Sequence, residues 1–138
     1  MNIVKNNLDY NPEQKLEELG IQLSTPSSPV ANYVNTIRSG NLVYISGKGP
    51  LKKDGSYVLG KLGENLTLEQ GYEAAHLIAI NLISTLKASI GDLSKVKRIV
   101  RLTGMVNATS DFTDNSKVMM VVLTYLFKYL EKMENIRE

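Results

Sequence analysis

The stretch Thr67–Gly91, TLEQGYEAAHLIAINLISTLKASIG, decides the architecture. Thr67 and Gln70 have the spacing of a capping box, in which hydroxyl and side-chain amide satisfy opposite backbone N–H donors at a helix start. Ala75, Ile78, Ala79, Leu82, Ile83, Leu86 and Ile90 then recur at intervals of three and four, the period of a helix with one apolar face. Gly91 stands where a left-handed residue ends a helix. A helix over about residues 68–90, laid on a sheet, is therefore expected.

Upstream, ANYVNTIR and NLVYIS are β-rich and flank Ser39-Gly40-Asn41, which predicts a hairpin with strands over about 31–38 and 41–46. The following GKGPLKKDGSYVLGKLGE holds five glycines and reads as a loop or ragged hairpin on the surface. Downstream, KRIVRLTGMV alternates, with Val100, Leu102 and Val106 on one side and Arg101 and Thr103 on the other, which predicts a third strand over about 97–106. Asn11-Pro12-Glu13 reads as the cap and first turn of a short leading helix, with Leu16 and Leu19 on one side and Gly20 to end it. With a final helix after NATSDFTDN, the order is β-β-α-β-α, an α+β domain with helices on one sheet face.

The totals fit a single domain over residues 1–138 with 43% hydrophobic content. Sixteen basic against fourteen acidic residues leave a net charge of +2, too little to argue for a nucleic acid or an acidic membrane. The absence of cysteine excludes disulfides, thiolate metal sites and a cysteine nucleophile, and one histidine excludes a His-clustered metal site. The opening MNIVKNNLDYNPEQ has no apolar run of signal-peptide length and no later run reaches a membrane span, so the expected location is cytoplasmic.

Few residues suggest chemistry. GKGP lacks the spacing of a phosphate loop. Lys95, Lys97, Arg98 and Arg101 are basic but have no interleaved aromatics, so a solvated face outweighs an RNA surface. His76 has no partner in a recognisable motif, and a surface or interface role outweighs a catalytic one. Tyr33 and Ser46 lie at the beginning and end of the hairpin beside the glycine-rich loop, where their hydroxyls can orient a small polar substrate. Gly47 lets backbone N–H groups approach a carboxylate, while packing and turn roles remain open for all three.

PVANYVNTIRSGNLVYISGKGP, GKLGENLTLEQGYEAAHLIAINLISTLKASIGDLSKVKRIVRLTGMVN and the later Asp111-Phe112 resemble the Rid family, also called YjgF or L-PSP endoribonuclease-like proteins, over about residues 15–119. The resemblance implies a chorismate-mutase-like α+β fold assembled as a homotrimer, with small-molecule sites in the clefts between subunits. It also implies hydrolysis of reactive enamines and imines such as 2-aminoacrylate to a 2-keto acid and ammonia, without metal or organic cofactor. The other readings are a non-catalytic small-molecule-binding or regulatory trimer and, more weakly, an endoribonuclease or translation inhibitor. Tyr33 matches the family tyrosine near the substrate, and Ser46-Gly47 the Ser-Gly at the end of the second strand, whereas Lys48 stands where a glutamine is usual.

From Met120 the sequence departs from the family, which expects a substrate-binding arginine after the second helix and a last strand with a water-positioning glutamate. The last strand is thus expected to be missing and 120–138 to be an atypical tail. Written with permissible codons and one adenine restored after the Met119 codon, the tail reads in the family pattern, with Asn-Gly, then Phe-Gly-Glu, then Lys-His and a later arginine. A single-base deletion is the expectation this raises. The alternative is a divergent helix, in which Leu126, Leu130 and Met133 keep helical spacing, with Lys128, Glu131 and Lys132 outside.

Overall fold

The computed structural model describes residues 10–130. Their elements run α1 (Pro12–Glu18), β1 (Thr36–Ser39), β2 (Leu42–Ile45), α2 (Leu68–Ile90), a 3-10 turn (Leu93–Lys95) and α3 (Asn115–Leu130). The class is α+β, as the sequence predicts. Local chemistry sets the helix ends. Asn11 Oδ1 accepts the Glu13 and Gln14 N–H groups ahead of Pro12. The Thr67 box closes on both sides, with Gln70 N–H donating to Thr67 Oγ1 at 3.2 Å and Thr67 N–H to Gln70 Oε1 at 2.9 Å. Gly91 ends α2 at φ 81°, its N–H bonded to Lys87 O.

The core is chiefly a helix pair. Ala75, Ala79, Ile83 and Leu86 of α2 are buried with Val118, Val122, Leu126, Tyr129 and Leu130 of α3, and Leu16, Leu62 and Leu93 complete the cluster. Small residues let the helices meet: a Cβ added at Gly71 would lie 2.9 Å from Leu62 Cδ2 and 3.5 Å from Val118. Lys87 Nζ to Glu13 at 3.1 Å adds a partly exposed ion pair between α2 and α1. From Met120 the chain therefore continues as part of a core helix as far as Leu130. Met133, Glu131, Lys132 and the expected absence of a last strand lie outside the described residues.

β1 and β2 pair antiparallel, Thr36 opposite Ile45 and Ile37 opposite Tyr44, through a two-residue turn whose Gly40 takes φ 58°. Val43 and Ile45 pack toward the core, while Ile37 and Tyr44 are 62% and 59% exposed on the other face.

Several expectations are corrected. The hairpin strands are four residues each, shorter than read from β-propensity. Residues 97–106 form no strand, although Leu102 and Val106 do pack on the core. Ile99 joins them, while Val100, expected inside, is 70% exposed. Alternation makes a segment fit to be a strand, but a ladder also needs a partner edge, and among the described residues the bridge on this side joins Leu62 to Ala108, beyond the segment. The glycine-rich segment is the ragged hairpin foreseen, with Leu51 bridging Tyr57, but its end is not surface: Leu62 is core. Leu19 is exposed, because α1 ends one residue before it.

Candidate functional site

Beyond β2 the hairpin continues by one further bond, Ser46 N–H to Asn35 O at 2.9 Å. This draws the chain before β1 alongside the glycine-rich segment. Ser46 Oγ donates to Val34 O at 2.5 Å, so its proton is spent on fixing backbone. Asn35 holds both sides, its Nδ2 donating to Ser27 O at 3.1 Å and its Oδ1 accepting from Lys48 Nζ at 2.5 Å.

Helix α2 forms the floor. Asn81 Nδ2 donates to Gly49 O at 3.2 Å and to Leu51 O at 3.1 Å, pinning the loop to the helix. Ser84 and Thr85 return their hydroxyl protons to Ile80 O and Asn81 O, which keeps buried hydroxyls satisfied. Gly49 is tight, since a Cβ there would lie 3.1 Å from the Tyr57 ring. The result is a small cleft of about 60 Å³ lined by the Ser24–Ser27 segment, Tyr33, Gly47, Lys48, Gly49, Leu51, Tyr57, Asn81, Ser84 and Thr85.

Of the residues singled out in the sequence, Tyr33 and Gly47 meet at this cleft. Ser46 stands beside it and is not among the lining residues. Burial lowers the Lys48 ammonium below the ordinary lysine range. Asn35 and Asn81 were not anticipated. Asn81 had a signal: with Ser84 and Thr85 it forms a polar stripe at i, i+3 and i+4 within an otherwise apolar helix.

A second, wider groove of about 620 Å³ runs between α2 and α3, lined by Tyr72, Glu73, His76, Lys117, Met120 and Tyr125 among others. His76 stacks on Tyr125 with ring centroids 4.0 Å apart, and its Nε2 lies 3.2 Å from the Tyr129 hydroxyl. Burial first, then the Lys128 charge, lowers the imidazole pKa, while burial raises that of Tyr129. His76 thus packs between α2 and α3 at the edge of this groove. Among the described residues no cluster of three or more His, Cys, Asp or Glu is placed to hold a metal, and no helix is long and apolar enough to cross a membrane.

Residues 13–132 match the family described as "YjgF/chorismate mutase-like, putative endoribonuclease". A curated relative, Protein TCP17 of Trypanosoma cruzi, is 39% identical over 103 residues, 75% of this chain. The aligned region spans 64% of that relative's length. Among solved structures, one described as a "putative endoribonuclease" from Shewanella oneidensis MR-1 superposes with a TM-score of 0.82 at 29% identity, covering 87% of this chain and 80% of the other. The protein Atu1372 of Agrobacterium tumefaciens, described as of unknown function, superposes with a TM-score of 0.78 at 34% identity, covering 86% of this chain and 73% of the other.

Proposed function

Because the chain belongs to the YjgF/chorismate-mutase-like family, we propose that it is an enamine and imine deaminase acting on 2-aminoacrylate-type intermediates. The observation that carries this reading is the meeting of Tyr33 and Gly47 on one small polar cleft pinned to α2. The reaction asks little of a protein. After the enamine takes a proton to become the imine, water adds to the C=N carbon, and the adduct expels ammonia to leave a 2-keto acid. The enzyme holds the acid and its water in register, and needs no metal or organic cofactor.

In this reading Tyr33 donates its hydroxyl to the substrate, and the backbone around Gly47 receives its polar end. Ser46 acts through the backbone: its bond to Val34 O fixes the chain that carries Tyr33. The site is completed between subunits of a cytoplasmic homotrimer, which covers the Ile37–Tyr44 face of the sheet. The sequence beyond Met119 is read as the product of a one-base deletion, and sequencing the gene across codon 120 tests that: an intact frame, with no family-like alternative frame, rejects it.

A non-catalytic binding or regulatory trimer is the second reading. It is favoured by one observation, that the residues lining the cleft include no carboxylate and no histidine to move a proton. RNA cleavage rests on the names of the family and of one structural neighbour. A coupled assay of keto-acid release from an amino-acid-derived imine separates these. Release above the buffer rate that falls in Tyr33→Phe supports deamination, and release no faster than buffer rejects it. Ribonuclease activity that survives stringent repurification would favour the third reading.

A further inference from the structure

The cleft beside Tyr33 has one charged lining residue, Lys48. Its Nζ rests on the neutral Asn35 Oδ1, and among the described residues no carboxylate forms an ion pair with it. The lining is otherwise rich in hydroxyls, from Ser24, Thr25, Ser27, Tyr33 and Tyr57, and contains neither Asp nor Glu. The backbone N–H groups of the lining residues Gly47, Lys48 and Gly49 donate to no acceptor among the described residues. An ammonium without a counterion and three unengaged N–H groups, all on residues that line one cleft, are the donors an anion needs. Burial lowers the Lys48 pKa, the direction expected of a cation short of solvent.

We infer that Lys48 is the cation of an anion subsite in this cleft, and that the subsite takes the carboxylate of a small organic acid. The inference rests on the placement of the substrate site in the same cleft under Proposed function. The volume of about 60 Å³ suits a carboxylate head, with a short carbon skeleton lying toward Tyr33 and Tyr57. On binding, the amine exchanges the Asn35 amide oxygen for a charged acceptor, and Asn35 stays in place through its bond to Ser27 O. Lys48 is thereby the specificity-determining residue: it selects acids over their neutral analogues.

The test is calorimetric titration of the full chain with pyruvate, methyl pyruvate and inorganic phosphate, using the wild type, Lys48→Arg, Lys48→Gln and Tyr33→Phe, with circular dichroism to confirm folding. Pyruvate binds the wild type and, within about threefold, Lys48→Arg. Lys48→Gln weakens it by about tenfold or more, the scale of one lost charge-assisted hydrogen bond. Methyl pyruvate binds the wild type no better than pyruvate binds Lys48→Gln. Unchanged pyruvate affinity in Lys48→Gln overturns the inference, and if Tyr33→Phe is weakened in the same series the cleft itself stands. Phosphate bound as tightly as pyruvate in a Lys48-dependent manner overturns the carboxylate assignment in favour of oxyanions generally. No pyruvate binding to the wild type overturns the inference and the cleft reading together.

Discussion

His76 Nε2 of α2 and the Tyr129 hydroxyl of α3 stand 3.2 Å apart, joining the two helices that make the core. Neutral imidazole suits this position. Its pKa is lowered by burial and by Lys128, so the unfolded chain binds the proton more readily than the folded one. The stability that neutral His76 preserves is complete above the unfolded value of about 6.5 and is lost as pH falls below it toward the depressed folded value. The melting temperature is expected to drop as pH falls below about 6.5, and the drop to be reduced in His76→Phe. Because the chain has one histidine, an unaltered pH profile in that variant rejects the assignment.

Ile83 is fully buried between the helices. Truncation to alanine removes apolar contact and leaves a cavity, at a cost of about 2–5 kcal/mol. Denaturant unfolding measures it, with a loss below about 1 kcal/mol speaking against this core.

Thr67→Ala removes the oxygen that accepts the Gln70 N–H at the start of α2. A loss of about 1 kcal/mol is expected. Thr67→Ser, which keeps the acceptor, recovers most of it in the same unfolding experiment.

Asn81→Ala leaves the Gly49 and Leu51 carbonyls without their side-chain donor. Faster amide exchange is expected in the segment around residues 47–57, with the centre of α2 still protected. Uniform acceleration across the chain would mean that Asn81 supports the whole fold rather than the cleft.

Ile37→Lys tests assembly. On a largely exposed sheet face the change is expected to alter the stability of a single chain by less than about 0.5 kcal/mol. Light scattering is expected to show a trimer in the wild type and a smaller species in the variant. A variant of undiminished size excludes this face from the interface.

What was legible in the sequence was local. Asn11, Thr67, Gly40 and Gly91 each act within a few residues of themselves, and the caps and turn form where their spacing indicates. The apolar period of α2 likewise fixed its buried face at Ala75, Ala79 and Ile83. What failed depended on distant partners. Residues 97–106 have the alternation of a strand without the edge that would make them one. Leu62 sits in a glycine-rich loop by composition and in the core by contact. His76 meets a tyrosine 53 residues away, which no spacing rule connects to it. At the cleft, Tyr33 and Gly47 could be named from their places on the hairpin, but the direction of the Ser46 hydroxyl was decided by the Val34 carbonyl opposite.

The pairing of Ile37 with Tyr44 on the open face of a two-stranded ribbon has one more effect. Two large apolar side chains at one cross-strand position lose water whenever another surface covers them, so association and folding become linked. If copies of the chain meet there, dilution acts as a mild denaturant, and a melting temperature has meaning only when quoted with the concentration at which it was recorded.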